Sequence, residues 1–190
     1  MPGSGYIDKD TVLEADADVI GHINGGHTSL SEQHVCELCE KSTRATEIVH
    51  NGNEKVAIAG AQAALQLKCP HRVILGTDDP AGSGVQLQGM LHMISLLSAL
   101  GNIAPKLVFC FATGNTARIR GLNCGLIEIG RAANFVFLDK AQHSGGSDML
   151  DSITRGDLPG VGMVMIDGLV RCGRSRNTPP ATSPDRRIVI

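Results

Sequence analysis

The sequence predicts an α/β fold built around a parallel sheet. Three short apolar segments follow one another in the first half of the 190-residue chain, and each leads through a polar, glycine-containing loop into a helix-like segment. Parallel neighbouring strands need a crossover connection, which is usually a helix. The second half differs, because its strand-like segments flank an Asp167-Gly168 turn of the kind that joins hairpin strands. We therefore expect a parallel β/α unit followed by a smaller antiparallel sheet.

The first half contains three predicted strand–helix pairs. The strands are the short apolar runs at residues 19–23, 46–49 and 72–75. In the first pair, Ser29 or Ser31 is suited to cap the helix. The second helix is the alanine-rich segment 56–67, and the third is the strongly apolar segment 85–100. Repeated in this way, the pattern favours a single parallel sheet covered by helices.

The second half is predicted to mix short helices with strands. Helices are expected at residues 105–113, 115–121 and 148–155, and strands at residues 135–138 and 161–166. The Asp167-Gly168 turn then leads into a further strand at residues 169–170. Segment 177–190 contains three prolines and is expected to be poorly ordered unless residues 188–190 dock on the fold.

Composition and charge exclude several function classes. Apolar residues make up 42% of the chain, charged residues 19%, and the formal net charge is -2, which indicates a globular protein without the basic stripe that nucleic-acid binding needs. There is no Trp and only one Tyr, so no aromatic platform for bases is expected. The longest apolar stretch, residues 90–100, is much shorter than the ~20 residues that span a bilayer. We expect no nucleic-acid partner and no membrane role.

The six cysteines are scattered, with one close pair at Cys36 and Cys39. This usage is typical of reduced thiols, so we expect a cytoplasmic protein. The pair could form half of a zinc site or a redox motif, but no second close Cys or Cys/His pair completes it. The simpler interpretation is that both cysteines lie half-buried on one helix.

Polar side chains follow each of the three predicted parallel strands. His22 lies at the end of the first, His50 follows the second, and Asp78 follows the third. Functional loops of parallel α/β folds lie just past the carboxyl ends of the strands, and imidazole with carboxylate is a donor set for divalent metals. The alternative is that the histidines are hydrogen-bonded core residues and that Asp78 is a turn former.

Several motifs together resemble the carboxyl-terminal half of the amidohydrolase superfamily. The motifs that carry the resemblance lie at residues 21–26, 47–49, 52–53, 73–80, 112–117, 121–127, 130–139 and 175–181. The resemblance implies a partial (β/α)8 TIM-like barrel, consisting of strands six to eight with their helices, plus strands of a small β-sandwich. The barrel part would occupy residues 1–122 and the sandwich part residues 123–176, with residues 177–190 as a tail.

The resemblance also implies site residues and a cofactor. It identifies His22 as a metal ligand at the end of strand six, and Asp78 as a metal ligand and proton shuttle at the end of strand eight. The cofactor would be a divalent metal, zinc above all, with a second metal such as iron as a further option. In two-metal members the two residues would serve different metals. The superfamily's other ligands have no counterpart in this chain, so the alternative is that the chain by itself holds no metal.

The implied activity is metal-dependent hydrolysis of a C–N bond in a small, cyclic amide-like substrate. Asp78 would take the proton of the attacking water and return it to the leaving nitrogen. The competing hypothesis is a catalytically silent fragment or half-barrel interaction module, because three parallel strands leave two open edges that favour self-association. The expected partners are accordingly a second copy of the chain or an amino-terminal half.

Overall fold

A computed structural model of the chain describes residues 7–25, 30–80, 84–176 and 178–183. It contains two three-stranded sheets. The parallel sheet consists of β1 (Val19–Ile20), β2 (Ala45–Val49) and β3 (Val73–Gly76) in that order. The antiparallel sheet consists of β4 (Phe135–Asp139), β5 (Gly160–Ile166) and β6 (Leu169–Cys172). The predicted α/β class, with a parallel unit before an antiparallel one, is confirmed.

Seven α-helices lie in the described part of the chain. They are α1 (Lys9–Glu14), α2 (Glu32–Lys41), α3 (Glu54–Gln66), α4 (Gly89–Ala99), α5 (Pro105–Cys110), α6 (Thr116–Arg120) and α7 (Met149–Thr154). The π-helical turn Phe111–Asn115 joins α5 to α6, so the two helices predicted as separate form one helical run. The Asn115 side chain donates to the carbonyl groups of Pro70 and Val73, which anchors this turn beneath β3.

Side-chain caps set where α2 and α3 begin. Ser31 accepts a hydrogen bond from the backbone N–H of His34, which confirms one of the two predicted caps of α2. The other candidate, Ser29, lies outside the described residues. Asn53 accepts from the N–H of Val56 at the start of α3. After β2, the chain therefore passes through a short loop, residues 50–53, directly into α3.

The core of the β/α unit lies between the parallel sheet and its helices. Its largest fully buried side chains come from both layers and include Val35, Leu38, Ile48, Val73 and Leu97. Near Ile48 the two layers come close, because Gly60 of α3 leaves room for Val35 and for the Ile48 side chain. The β/α unit therefore has a core of its own, and this core supports the strand ends where the polar residues lie.

Two boundaries differ from the prediction because loops replace regular structure. Strand β1 ends at Ile20, although Ile23 still donates to the Glu47 carbonyl, 3.1 Å away. Helix α4 begins at Gly89 rather than at residue 85, and the segment before it is held as a loop by the Gln86 N–H, which donates to Asp79. Both departures lie at the carboxyl edge of the parallel sheet, where backbone groups pair with loop residues.

The tail is partly packed against the antiparallel sheet. Ala181 is buried and pairs with Ala141 in an isolated antiparallel bridge. The Thr178 hydroxyl accepts a hydrogen bond from the N–H of Val161 at the start of β5. Residues 178–183 therefore have hydrogen-bond partners at the start of β5 and just after β4. Residues 188–190, whose docking was the stated condition, lie outside the described residues.

The hairpin turn between β5 and β6 is confirmed. Asp167 and Gly168 both have positive φ, 52° and 75°, as a two-residue hairpin turn requires. Among the described helices, none is both long and apolar enough to cross a membrane.

Candidate functional site

His22 and Asp78 meet at the carboxyl edge of the parallel sheet. His22 lies two residues after β1 and Asp78 two residues after β3. Their Nε2 and Oδ2 atoms are 2.9 Å apart, within hydrogen-bond distance. The two side chains are 37% and 43% exposed, so the pair opens to solvent. The structure thus brings together the two residues that the sequence singled out from strands that are not neighbours.

Both residues adopt the left-handed backbone conformation. The φ angle is 56° at His22 and 60° at Asp78. Among residues with a Cβ, His and Asp are enriched in this region, while β-branched residues are strained there. The left-handed conformation turns the chain immediately after each strand, and these turns place the two side chains at the same edge.

Asn24 anchors the loop that carries His22. Its side chain is buried, donates to the carbonyl of Val49 and accepts from the N–H of Val49, with both distances at 2.9 Å. One side-chain amide therefore pairs with β2 much as a strand residue would. Sequence reasoning missed this role, because an asparagine before two glycines is also typical of an ordinary loop.

Gly52 is required by the close approach of this loop. A Cβ at position 52 would lie 2.3 Å from the Asn24 carbonyl oxygen and 2.4 Å from its side-chain nitrogen. The backbone of Gly52 also pairs with Gly25 in an isolated bridge. The glycine therefore allows the loop after β2 to pack against the loop after β1.

Asn51 links the end of β2 to the loop that carries Asp78. Its side-chain nitrogen is 3.3 Å from the Asp78 carbonyl oxygen and 3.4 Å from Oδ1 of Asp79. The same Asp79 oxygen accepts from the N–H of Gln86 at 3.2 Å. Asp79 therefore bridges Asn51 and the segment that leads into α4.

His50 lies on a different face from the His22–Asp78 pair. Strand alternation places it on the same face of β2 as Ile48, the face that packs against the helices. Its ring is 6.0 Å from the ring of His92 in α4, and its Nδ1 is buried without a hydrogen-bond partner. Both histidines line a groove of about 320 Å³, together with Glu54 and Arg155. The position of His50 after β2 did not by itself predict on which face of the parallel sheet its side chain lies.

The His22–Asp78 pair offers two donor atoms of the types that bind divalent metals. An imidazole nitrogen and a carboxylate oxygen suit zinc and similar divalent ions, but a catalytic zinc usually has three protein ligands. Within the described ranges, no group of three or more His, Cys, Asp or Glu side chains is arranged to hold a metal ion. His22 and Asp78 therefore fit a metal as two of its ligands, converging and partly open to solvent.

The six cysteines lie in different environments, because some are buried and others are exposed. All six belong to the described residues and are free. Cys39 is buried, its thiol lies 3.9 Å from the Gly60 carbonyl, and burial raises its pKa to about 11. Burial also raises the pKa of Cys36. High pKa values disfavour the thiolate that metal binding and redox exchange require, which counts against a zinc or redox site at this pair. The expectation that both cysteines are half-buried is wrong, because Cys39 is buried and Cys36 is exposed.

Comparison with known proteins assigns the family. The Amidohydrolase family matches residues 19–170, which is most of the chain. The chain belongs to this family, which confirms the resemblance indicated by the motifs.

Two enzymes illustrate the relationship. The chain is 38% identical over 181 residues to the enamidase of Eubacterium barkeri, covering 95% of this chain and 47% of the enamidase. It superimposes on the crystal structure of enamidase with a TM-score of 0.90, covering 97% of this chain and 48% of that one. A β-aspartyl dipeptidase from Fervidobacterium islandicum shares the fold at 15% identity, with a TM-score of 0.60 and coverage of 88% and 43%. The chain spans about half the length of these relatives.

Proposed function

We propose that this chain carries part of the active site of a metal-dependent hydrolase that cleaves the C–N bond of a small cyclic amide. The observation that carries the proposal is the 2.9 Å approach of His22 Nε2 to Asp78 Oδ2 at the strand ends of an amidohydrolase-family chain. The 38% identity to an enamidase supports a C–N bond as the target.

His22 and Asp78 would hold the metal through Nε2 and Oδ2. The proposed ion is divalent, with zinc as the first choice and a second metal such as iron as an option. When bound, it would lower the pKa of water and polarise the substrate carbonyl. Asp78 would accept the proton of the attacking water and return it to the leaving nitrogen, since a carboxylate open to solvent can serve first as base and then as acid.

For the architecture, we propose that β1, β2 and β3 are strands six to eight of a (β/α)8 barrel and that β4 to β6 belong to a β-sandwich. The order of three parallel strands with helices supports this, as does the TM-score of 0.90 to enamidase. The barrel part would be residues 1–122, the sandwich part residues 123–176 and the tail residues 177–190. The missing ligands of the superfamily would come from an amino-terminal half, whereas a second copy would add only its own His22 and Asp78.

The test of activity is hydrolysis of small cyclic amides by the zinc-loaded chain, in parallel with Asp78→Asn. General acid–base catalysis contributes about 10²- to 10⁴-fold, so Asp78→Asn should lose at least about 100-fold. Asp18→Asn is the matched control, because the Asp18 side chain is 99% exposed and lies beside Arg44 rather than at the site. Full activity of Asp78→Asn would contradict the proposal.

A second candidate function is a catalytically silent module that self-associates. Exposed apolar side chains on and beside the antiparallel sheet favour it; they are Ile127, Ile129, Val136, Phe137, Leu169 and Val170. The two candidate functions are distinguished by the molar mass from light scattering during gel filtration together with the hydrolysis assay. A multiple of 20.0 kDa without hydrolysis supports the silent module, whereas hydrolysis contradicts it.

A further inference from the structure

The carboxyl end of β2 contacts both loops of the candidate site. On one side it receives the Asn24 side chain, which is bonded to both backbone polar groups of Val49. On the other side its continuation reaches the Asp78 loop through Asn51. Since β1 and β3 do not pair with each other, β2 is the common reference for His22 and Asp78.

We propose that Asn51 is a positioning residue that holds the Asp78 loop so that the Asp78 carboxylate faces His22. Nothing in the family comparison assigns Asn51 a role. The expected effect of Asn51 on metal binding rests on the proposed function. Its expected effect on the geometry of the His22–Asp78 pair does not.

The contacts of Asn51 cover three consecutive residues of the loop. Its backbone N–H donates to the Thr77 carbonyl at 3.4 Å, and its side-chain N–H groups face the Asp78 carbonyl and the Asp79 carboxylate at 3.3 and 3.4 Å. The Asn51 backbone therefore holds Thr77, while its side-chain amide holds the Asp78 carbonyl and the Asp79 carboxylate. This arrangement requires a donor, because both of its side-chain partners are acceptors.

Asp78 needs such restraint because its backbone is left-handed, with φ at 60°. Asp tolerates this conformation better than most residues with a Cβ, but contacts from its surroundings are what hold a particular loop there. The last paired residues of the two strands are Val49 and Gly76, so Asp78 lies two residues beyond the regular ladder. The contacts of Asn51 extend the connection between β2 and the β3 end as far as Asp79.

Two substitutions separate the donor from the shape of the side chain. Asn51→Asp keeps the shape and removes the N–H donors, and it places a carboxylate against the Asp78 carbonyl and the Asp79 carboxylate. Asn51→Ala removes the donors without adding charge, and it tests the same role if Asn51→Asp does not fold. Asn123→Asp is the control, because Asn123 is exposed and lies outside the parallel sheet. Unfolding midpoints show whether each variant is folded.

The first measurement is Zn²⁺ affinity of the full chain by chelator competition. Both Asn51 variants should bind Zn²⁺ at least about tenfold more weakly than the wild type, while Asn123→Asp binds equally well. A merely structural role would lower the unfolding midpoint and leave the affinity of the folded protein unchanged. Wild-type affinity in the folded Asn51 variants would overturn the inference while leaving the proposed metal site intact.

The second measurement is the crystal structure of Asn51→Ala, which requires no metal. If the wild type itself does not bind Zn²⁺, the proposed metal function of this chain fails, and the structure decides on Asn51. Loss of the His22–Asp78 contact in the variant supports the positioning role. A retained contact near 2.9 Å contradicts it.

Discussion

The two sheets of this protein bury their residues to very different extents. In the parallel sheet, four of the five β2 residues are buried, and Ile48 is fully so. In the antiparallel sheet, all four residues of β6 are exposed, and Leu169 and Val170 are 58% and 56% exposed. Strand β4 also exposes Val136 and Phe137.

This difference distinguishes two regions of the chain. The parallel sheet is largely buried, whereas the antiparallel sheet exposes apolar side chains on β4 and β6. Parallel strands are joined by crossover helices, and here the helices pack against the sheet and bury residues such as Ile48. In the antiparallel sheet, by contrast, the start of β5 is buried but the apolar residues of β6 are exposed. The candidate site lies in the well-buried region, at the edge of the parallel sheet.

The largest expected effect is a core truncation in β2. Ile48→Ala should lower the free energy of unfolding by about 2–5 kcal/mol, because it removes a buried side chain packed between sheet and helices. Val170→Ala in β6 should change it by less than about 0.5 kcal/mol, since the side chain is mostly exposed. Urea unfolding at low protein concentration measures both. Equal losses would contradict the distinction between the sheets.

A smaller loss is expected where the two site loops pack together. Gly52→Ala should destabilise the protein by about 1–3 kcal/mol, because the new Cβ would meet backbone and side-chain atoms of Asn24. Gly145→Ala is the matched control, since nothing lies within 4 Å of a Cβ built there. Thermal unfolding compares the two variants. A stability of Gly52→Ala equal to the control would show that the loops are not packed as described.

The smallest expected effect is a difference in labelling rate between thiols of the two regions. Cys39, with a pKa of about 11, holds only about 0.1% thiolate at pH 8, and burial also shields it. Cys172 lies exposed on β6. Iodoacetamide at pH 8, followed by mass spectrometry, should label Cys172 rapidly and leave Cys39 unmodified.

Raising the pH should speed up any labelling of Cys39, because a raised pKa means that the thiolate forms only at higher pH. Rapid labelling of Cys39 at pH 8 would instead support a reactive Cys36/Cys39 motif.

The strand ends could be predicted from sequence because parallel strands follow a simple rule. Apolar runs located β1 to β3 to within a few residues, and their carboxyl ends necessarily lie at one edge, so the approach of His22 to Asp78 followed. His50 also follows its strand as predicted, but its side chain lies on the other face of the sheet, because alternation along β2 places it beside His92.

Other features had no periodic signal that could reveal them. Asn24 and Asn51 act through hydrogen bonds to backbone far away in sequence, and the same residues occur in ordinary loops. The π-helical turn depends on Asn115 reaching the carbonyls of Pro70 and Val73, which is a tertiary contact. The packing of the tail through Ala181 likewise depends on a distant partner, Ala141.

The most direct test of the central claim is the metal content of the purified chain, measured by elemental analysis after dialysis. His22→Asn and Asp78→Asn are the informative variants, since asparagine tolerates the left-handed backbone while its amide is a poor zinc ligand. His71→Asn is the control, because His71 precedes β3 at the opposite end of the strand from Asp78. The account predicts close to stoichiometric zinc in the wild type and control, and its loss in both site variants. Zinc retained in the site variants, or absent from the wild type, would contradict it.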